Sequence, residues 1–218
     1  MIGIFDSGYG GLTIFKDIEK KLPQYDYIYL GDNARAPYGD RIQKLIYQYS
    51  QEAVDYLFAR GCKLIIFACN TASAMALRKL QQEYLPKKYP GRNVLGVIRP
   101  LVEAVSELKK NSKVGIMATS STVESNAYIN EFTDLNPSIG VVQQACPLLV
   151  PLIEESREAM PETKIILTEY IRPLKRASLD AIVLGCTHYG WLQEMVANSF
   201  GPEVVVLRSG QIVADKLA

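Results

Sequence analysis

The sequence predicts an α/β fold made of two pseudo-symmetric domains with mainly parallel sheets and a cleft between them. Short apolar runs alternate with longer amphipathic stretches along the chain, which is typical of strands joined by helical crossovers. The stretch "IGIFDSG" at 2–8 also resembles "VGIMATS" at 114–120. Each of these stretches precedes an apolar run that ends in a cysteine, and this recurrence indicates a duplication.

The apolar runs, which are rich in β-branched and aromatic residues, are predicted as strands. They lie at 2–5, 27–30, 63–68, 93–98, 113–118, 139–143, 180–184 and 203–207. The amphipathic stretches between them are predicted as helices at 11–21, 40–59, 71–84, 100–110, 122–132, 148–158, 162–175 and 188–198. No long linker separates the halves, so we expect one domain of 1–97 with 205–218 and a second domain of 98–204.

Composition and charge exclude several classes of function. The chain has 218 residues and a net charge of +1 with both signs interspersed, so it lacks the basic surface that nucleic acids or anionic membranes attract. The N-terminal "MIGIFDSG" lacks the features of a signal peptide, and no apolar stretch reaches the roughly 18 residues of a membrane span. We therefore expect a cytoplasmic protein with a small-molecule partner, no nucleic acid and no membrane.

Two of the four cysteines occupy matching positions. Cys69 and Cys186 each end an apolar run and precede a polar residue that can start a helix. Ligands bind beyond the carboxyl ends of parallel strands, so these thiols should face each other across the cleft. None of the cysteines forms a Cys-x-x-Cys pair, and we expect free thiols rather than disulfides.

Packing is the alternative role for any cysteine, because free cysteine is among the most buried residue types. The start of a helix favours a functional role for Cys69 and Cys186, since unpaired N–H groups and the helix dipole stabilise a thiolate. We therefore expect a lowered pKa at both thiols. Cys62 and Cys146 lack this setting and are predicted to be structural.

His188 is the single histidine of the chain and follows Cys186 by two positions. A zinc site with two thiolates and this imidazole lacks the usual short ligand spacing, so no metal is predicted. A Cys-His nucleophilic pair and a helix-capping histidine are alternatives. A proton-transfer role beside Cys186 fits the pattern better.

The N-terminal stretch "IFDSGYGGL" has two interpretations. Glycines between a strand and a helix, with Asp32 after the second strand, are typical of a dinucleotide site. The pattern fails at Thr13, where the third glycine should stand, so no cofactor is predicted. We favour direct contact of Asp6 and Ser7 with a small polar ligand, in which Asp6 can pair with an ammonium group.

Several motifs together resemble a known family. "DSGYGGL", "GDNARAPYGDR", "ACNTASA", "CPLLVPLIE" and "LGCTHYG" are similar, in order and spacing, to motifs of the glutamate racemases of the aspartate/glutamate racemase superfamily. The resemblance implies cofactor-independent racemisation of glutamate, which supplies D-glutamate for peptidoglycan synthesis. A racemase of aspartate or another small acid, and a catalytically weak amino-acid-binding homologue, remain alternatives, and a homodimer stays open.

The resemblance also implies roles for individual residues. Cys69 and Cys186 correspond to the acid-base thiols for the D face and the L face of the substrate, and Asp6 and His188 correspond to groups that assist catalysis. The positions that would contact substrate are Asp6, Ser7, Tyr38, Gly39, Asn70, Thr71, Thr119, Thr122, Glu154, Thr187 and His188. Arg208 departs from the family, which often has an acidic residue there, and typical members continue beyond the position of Ala218.

The chemistry of racemisation agrees with this assignment. A proton leaves one face of the α-carbon and another arrives at the opposite face, so two groups that can each act as acid or base are needed. A thiol with an ordinary pKa of about 8.5 requires only a modest lowering to act near pH 7.

Overall fold

The computed structural model describes residues 1–108 and 111–218, and within them the strands form two sheets. The strands of the first half are β1 (Ile2–Asp6), β2 (Tyr27–Gly31), β3 (Leu64–Phe67) and β4 (Asn93–Gly96). The strands of the second half are β5 (Lys113–Ala118), β6 (Gly140–Ala145), β7 (Ala181–Gly185) and β8 (Val205–Arg208). Every predicted strand is therefore present.

Both sheets are parallel and share one strand order. The first is arranged β2-β1-β3-β4 and the second β6-β5-β7-β8, so β1 corresponds to β5 and β3 corresponds to β7. The predicted α/β fold class is confirmed. Because β3 and β7 occupy equivalent central places, the residues that follow them occupy equivalent edges of their sheets.

Helices cover the sheets on both faces. Those of the first half are α1 (Leu12–Lys21), α2 (Gln43–Ala59), α3 (Asn70–Ala72) and α4 (Leu85–Lys88), with π-helical turns at Ser73–Leu77 and Leu80–Tyr84 between α3 and α4. Those that follow are α5 (Ile98–Ser106), α6 (Ser120–Glu124), α7 (Ala127–Leu135), α8 (Leu149–Glu154), α9 (Pro161–Lys175), α10 (Gln193–Phe200) and α11 (Ser209–Leu217). A 3₁₀ helix at Thr187–Leu192 precedes α10. The helix predicted over 100–110 includes residues 109 and 110, which lie outside the described residues.

Each sheet has an apolar core on both faces, as expected for buried parallel strands. In β1, Phe5 packs into the core under α2, whereas Ile4 packs against α1 on the opposite face. In the second half, Met117 of β5 packs into one core, whereas Val114 packs into the core on the opposite face. These double-sided cores fix the sheet edges where the cysteines lie.

The C-terminal segment contacts both halves. Its strand and its helix belong to different halves, whereas the expected domain boundary at 204/205 places both in the first. β8 pairs with β7 and so belongs to the second sheet, whereas α11 packs against α1 of the first half. An apolar run predicts a strand but does not specify its neighbour, which explains the difference. Nη1 of Arg208, at the end of β8, lies 3.2 Å from Oδ2 of Asp17 in α1. The positive charge that departs from the family pattern therefore has an acidic partner in the other half.

None of the helices in the two described ranges combines the length and hydropathy that a membrane span requires.

Candidate active site

A cavity of about 350 Å³ lies where the carboxyl ends of the two sheets meet, and both halves line it. Of the residues predicted to form the site, the first half contributes Ser7, Tyr38, Gly39, Cys69, Asn70 and Thr71, and the second half contributes Thr119, Glu154, Cys186, Thr187 and His188. Asp6 and Thr122 are fully buried beside these residues rather than part of the lining. The sequence-predicted residues are therefore brought together in one place.

Other lining residues were not predicted from the sequence: Gly8, Asn33, Ala36, Pro37, Val150, Pro151 and Glu155. Asn33 belongs to the motif "GDNARAPYGDR", which was a signal that could have identified it. A larger cavity of about 470 Å³ elsewhere contains neither cysteine nor histidine in its lining, so the predicted acid-base residues line the smaller cavity.

Cys69 begins the helix that follows β3 and is buried. Its sulfur accepts a hydrogen bond from the backbone N–H of Ala72 at 3.4 Å, as a helix-capping side chain does. The thiol also donates to Oγ of Ser7 at 3.5 Å. The end of β1 and the end of β3 therefore hold this sulfur jointly.

Cys186 follows β7 and has a different neighbour. Its sulfur lies 3.8 Å from Nδ1 of His188, and Oγ1 of Thr187 lies 3.4 Å from the same nitrogen. The other ring nitrogen, Nε2, contacts Oε1 of Glu154 in a close pair. Glu154, His188 and Cys186 thus form a continuous chain from the partly exposed carboxylate to the thiol, which supports the predicted proton-transfer position of His188.

The pKa of each thiol moves in the direction opposite to the predicted one. Burial, together with the nearby carboxylate of Asp6, raises the pKa of Cys69 to about 11, although hydrogen bonds to Ser7 and Ala72 oppose this rise. Burial also raises the pKa of Cys186, more strongly. The sequence reveals the start of a helix but not the burial that the opposite half imposes, and here burial is the larger effect.

Asp6 is a fully buried carboxylate at the end of β1. Its Oδ2 accepts a hydrogen bond from the backbone N–H of Gly8 at 3.0 Å, whereas Oδ1 has no partner within the described residues. Burial raises the pKa of Asp6 from 3.8 to about 6, although His188 and backbone N–H groups oppose this rise. A cationic group arriving beside Oδ1 would stabilise the charged form.

This raised pKa predicts how stability depends on pH. The native state retains the Asp6 proton up to about pH 6 and the unfolded state loses it near pH 3.8, so stability falls as the pH rises through that window. Relative to Asp6→Asn, the wild-type protein should lose about 3 kcal/mol in free energy of unfolding across the window. Urea unfolding of both proteins at pH 4, 5, 6 and 7 measures the difference; parallel curves would contradict the assignment.

Asn70 follows Cys69 and is almost completely buried. Its Oδ1 accepts a hydrogen bond at 2.7 Å from the hydroxyl of Tyr128, which belongs to the other half. Its Nδ2 has no partner among residues 1–108 and 111–218. The amide, in a residue that lines the cavity, therefore has a buried N–H donor without a partner among the described residues.

Three threonine hydroxyls from both halves form a buried cluster beside this amide. Oγ1 of Thr119 lies 2.9 Å from Oγ1 of Thr71 and 3.0 Å from Oγ1 of Thr122, and Thr122 lies 3.4 Å from Thr71. Each hydroxyl can rotate to donate or accept. The cluster can therefore turn several O–H donors towards one anionic group.

Asp32, which the dinucleotide interpretation assigns to a ribose hydroxyl, is held by two side chains of the protein. The Tyr38 hydroxyl donates to Oδ2 of Asp32 at 2.5 Å, and Nε of Arg35 donates to the same oxygen at 2.7 Å. Protein groups therefore engage one oxygen of the Asp32 carboxylate. The hydroxyl of Tyr38 is also engaged, so the other atoms of Tyr38 and the backbone of Gly39 form this part of the cavity wall.

Gly10 allows the two halves to approach closely at the site. A Cβ at this position would lie 2.4 Å from Oγ1 of Thr187 and 2.6 Å from Nδ1 of His188. Oγ1 of Thr13 also donates to the backbone carbonyl of Thr187, at 3.4 Å. The turn after β1 therefore packs directly against the segment that positions His188.

Comparison with known proteins identifies sequence relatives of this chain. The sequence pattern of the Asp/Glu/Hydantoin racemase family matches residues 9–217. A glutamate racemase of Geobacter metallireducens is 42% identical over 98% of this chain and 77% of its own length. One from Sulfurihydrogenibium is 39% identical over 99% of this chain and 81% of its own length.

Solved structures show the same similarity in three dimensions. The crystal structure of a glutamate racemase from Bacillus anthracis has a TM-score of 0.92 and 33% identity, covering 100% of this chain and 79% of that chain. The glutamate racemase from Francisella tularensis, solved in complex with D-glutamate, has a TM-score of 0.89 and 35% identity, covering 99% of this chain and 78% of that chain. The chain belongs to the Asp/Glu/hydantoin racemase family, and its predicted enzyme class, an amino-acid racemase, is confirmed.

Proposed function

We propose that this protein interconverts L- and D-glutamate without a cofactor, by proton transfer at the α-carbon through Cys69 and Cys186. One observation carries the proposal: both thiols line a single cavity, and each follows the equivalent central strand of its half. Thiols that enter from opposite halves can address opposite faces of one α-carbon. One thiolate then removes the proton while the other thiol delivers a proton to the second face.

The polar groups in and beside the cavity support one orientation of the substrate. The unpartnered Oδ1 of Asp6 is suited to the α-ammonium group, and the free Nδ2 of Asn70 is suited to the α-carboxylate. The threonine cluster can add hydroxyl donors to the same carboxylate. When the α-proton leaves, negative charge spreads onto that carboxylate, so these donors stabilise the carbanion where its charge develops.

The raised pKa values of the thiols fit a site that becomes active when substrate enters. Burial holds both thiols protonated in the free protein. The substrate ammonium brings a positive charge beside them and favours the thiolate. His188, whose Nδ1 faces the sulfur of Cys186, is placed to accept or return a proton on that side.

The relatives support glutamate as the substrate, because four relatives at 36% to 42% identity to this chain bear the name glutamate racemase. We further propose that the product D-glutamate is used for peptidoglycan synthesis and that the protein acts in the cytoplasm.

The substrate proposal predicts activity on glutamate with purified protein alone. L-glutamate and D-glutamate should each lose optical rotation, followed by circular dichroism, without added pyridoxal phosphate. Treatment with EDTA should leave the rate unchanged, because the proposed proton carriers are thiols. L-aspartate is the matched control, since it is one methylene shorter. Turnover confined to aspartate would overturn the glutamate assignment, and a requirement for metal would overturn the mechanism.

A further inference from the structure

Tyr128 connects the two halves behind the candidate active site. It lies near the start of α7 and is fully buried, and its hydroxyl donates to Oδ1 of Asn70 at 2.7 Å. The ring packs at the end of β7, where a Cβ at Gly185 would lie 3.3 Å from its Cε2. Tyr128 therefore lies between Cys186 and the residue that follows Cys69.

The hydrogen bond determines which end of the Asn70 amide is free. A carboxamide carries an acceptor oxygen at one end and an N–H donor at the other. Because the hydroxyl of Tyr128 engages the oxygen, Nδ2 is the end left without a partner. Burial raises the pKa of Tyr128, and the neighbouring Cys186 acts in the same direction, so the phenol keeps its proton and remains a donor.

We infer that Tyr128 is a positioning residue that makes Asn70 an obligate hydrogen-bond donor, and that this polarity selects the end of the amino acid that binds there. A carboxylate accepts from the amide N–H, whereas an ammonium group finds no acceptor. The unpartnered oxygen of Asp6 offers the complementary acceptor. The inference rests on the proposed function, because it concerns the orientation of that substrate.

Tyr128→Phe tests the inference, because it removes the hydroxyl and retains the ring. The Asn70 amide then has no fixed partner and can present either end to the cavity. We expect the KM for L- and D-glutamate to rise about three- to tenfold, the range that the loss of one hydrogen bond represents, and kcat to fall as well, because the same amide donor faces the charge that develops on the carboxylate. Steady-state kinetics in both directions measures both parameters.

A second measurement distinguishes an effect of Tyr128 on substrate orientation from an effect on packing alone. The α-amide of glutamate replaces the anionic α-carboxylate by a group with both donor and acceptor ends. Calorimetry should show that the wild-type protein prefers glutamate to this α-amide and that the preference shrinks in Tyr128→Phe. In an Asn70→Ala background, Tyr128→Phe should have no further effect on KM, because the two residues act through one amide.

Tyr189→Phe is the matched control. Tyr189 is also fully buried in the second half, and its hydroxyl donates to the backbone carbonyl of Cys146 at 2.8 Å. This variant should lose similar stability but keep the KM and the preference for glutamate. An unchanged KM in a folded Tyr128→Phe protein, or equal changes in both variants, would overturn the inference while the proposed function stands. Absence of binding and turnover of glutamate by the wild-type protein would overturn both.

Discussion

Replacement of Cys69 or Cys186 by serine is expected to abolish glutamate racemisation while leaving the fold intact. The substitution exchanges one sulfur for an oxygen, but a hydroxyl is a far weaker acid than a thiol and cannot carry the proton at neutral pH. Loss of a positioned acid-base group corresponds to about 10²- to 10⁴-fold in rate. Circular dichroism of L- and D-glutamate with each purified variant measures the loss.

An asymmetric assay assigns each thiol to one face of the substrate. An analogue with a leaving group on its β-carbon needs only the first proton abstraction for elimination. We expect Cys69→Ser to retain elimination from the L-analogue and Cys186→Ser to retain it from the D-analogue.

Cys146→Ser is the control for the same chemical change away from the cavity. Cys146 is fully buried in the core of the second half, where its thiol contacts the backbone carbonyl of Gln144 at 3.5 Å. This variant should racemise glutamate normally. Near wild-type rates in folded Cys69→Ser and Cys186→Ser would show that both thiols are structural, and the two-thiol mechanism would be wrong.

Gly10→Ala is expected to have the second largest effect. The added methyl would occupy the space of Oγ1 of Thr187 and Nδ1 of His188, 2.4 and 2.6 Å away. Such overpacking costs about 1–3 kcal/mol, and the two halves can relieve it by moving apart. A displacement of about 1 Å between catalytic groups lowers rates by about 10²-fold, so kcat should fall far more than stability suggests.

Gly190→Ala provides the comparison for this variant. Gly190 lies in the same 3₁₀ segment as His188, but a Cβ there would meet nothing within 4 Å. Thermal unfolding and turnover should both remain near wild type. If Gly10→Ala kept full activity, the close approach of the halves at this turn would not be required for catalysis.

Local pattern predicted the strands well but predicted the helix boundaries less well. A single helix is predicted over 122–132, yet the chain breaks at Asn126, whose backbone φ of 54° is left-handed. Asparagine tolerates this conformation, but the amphipathic period does not reveal it. Likewise, α11 at Ser209–Leu217 was not predicted as a helix.

The candidate site divides in the same way between local and long-range features. Cys69, Cys186 and Asp6 were predictable because each directly follows or ends an apolar run. The hydrogen bond between Tyr128 and Asn70 was not predictable, since it joins residues 58 positions apart across the two halves. The raised thiol pKa values were missed for a related reason, because residues from the other half contribute to the burial.

The unequal surroundings of the two thiols have a kinetic consequence. Cys69 contacts a serine hydroxyl, whereas Cys186 faces an imidazole that is paired with a carboxylate. Enantiomers have identical free energies in water, so the equilibrium constant of the proposed reaction is unity. The Haldane relation then requires equal kcat/KM values for the two directions, however different the thiols are. The asymmetry of the site can therefore change kcat and KM between the two directions only by the same factor. The enantiomer with the lower KM then saturates the enzyme at the lower concentration.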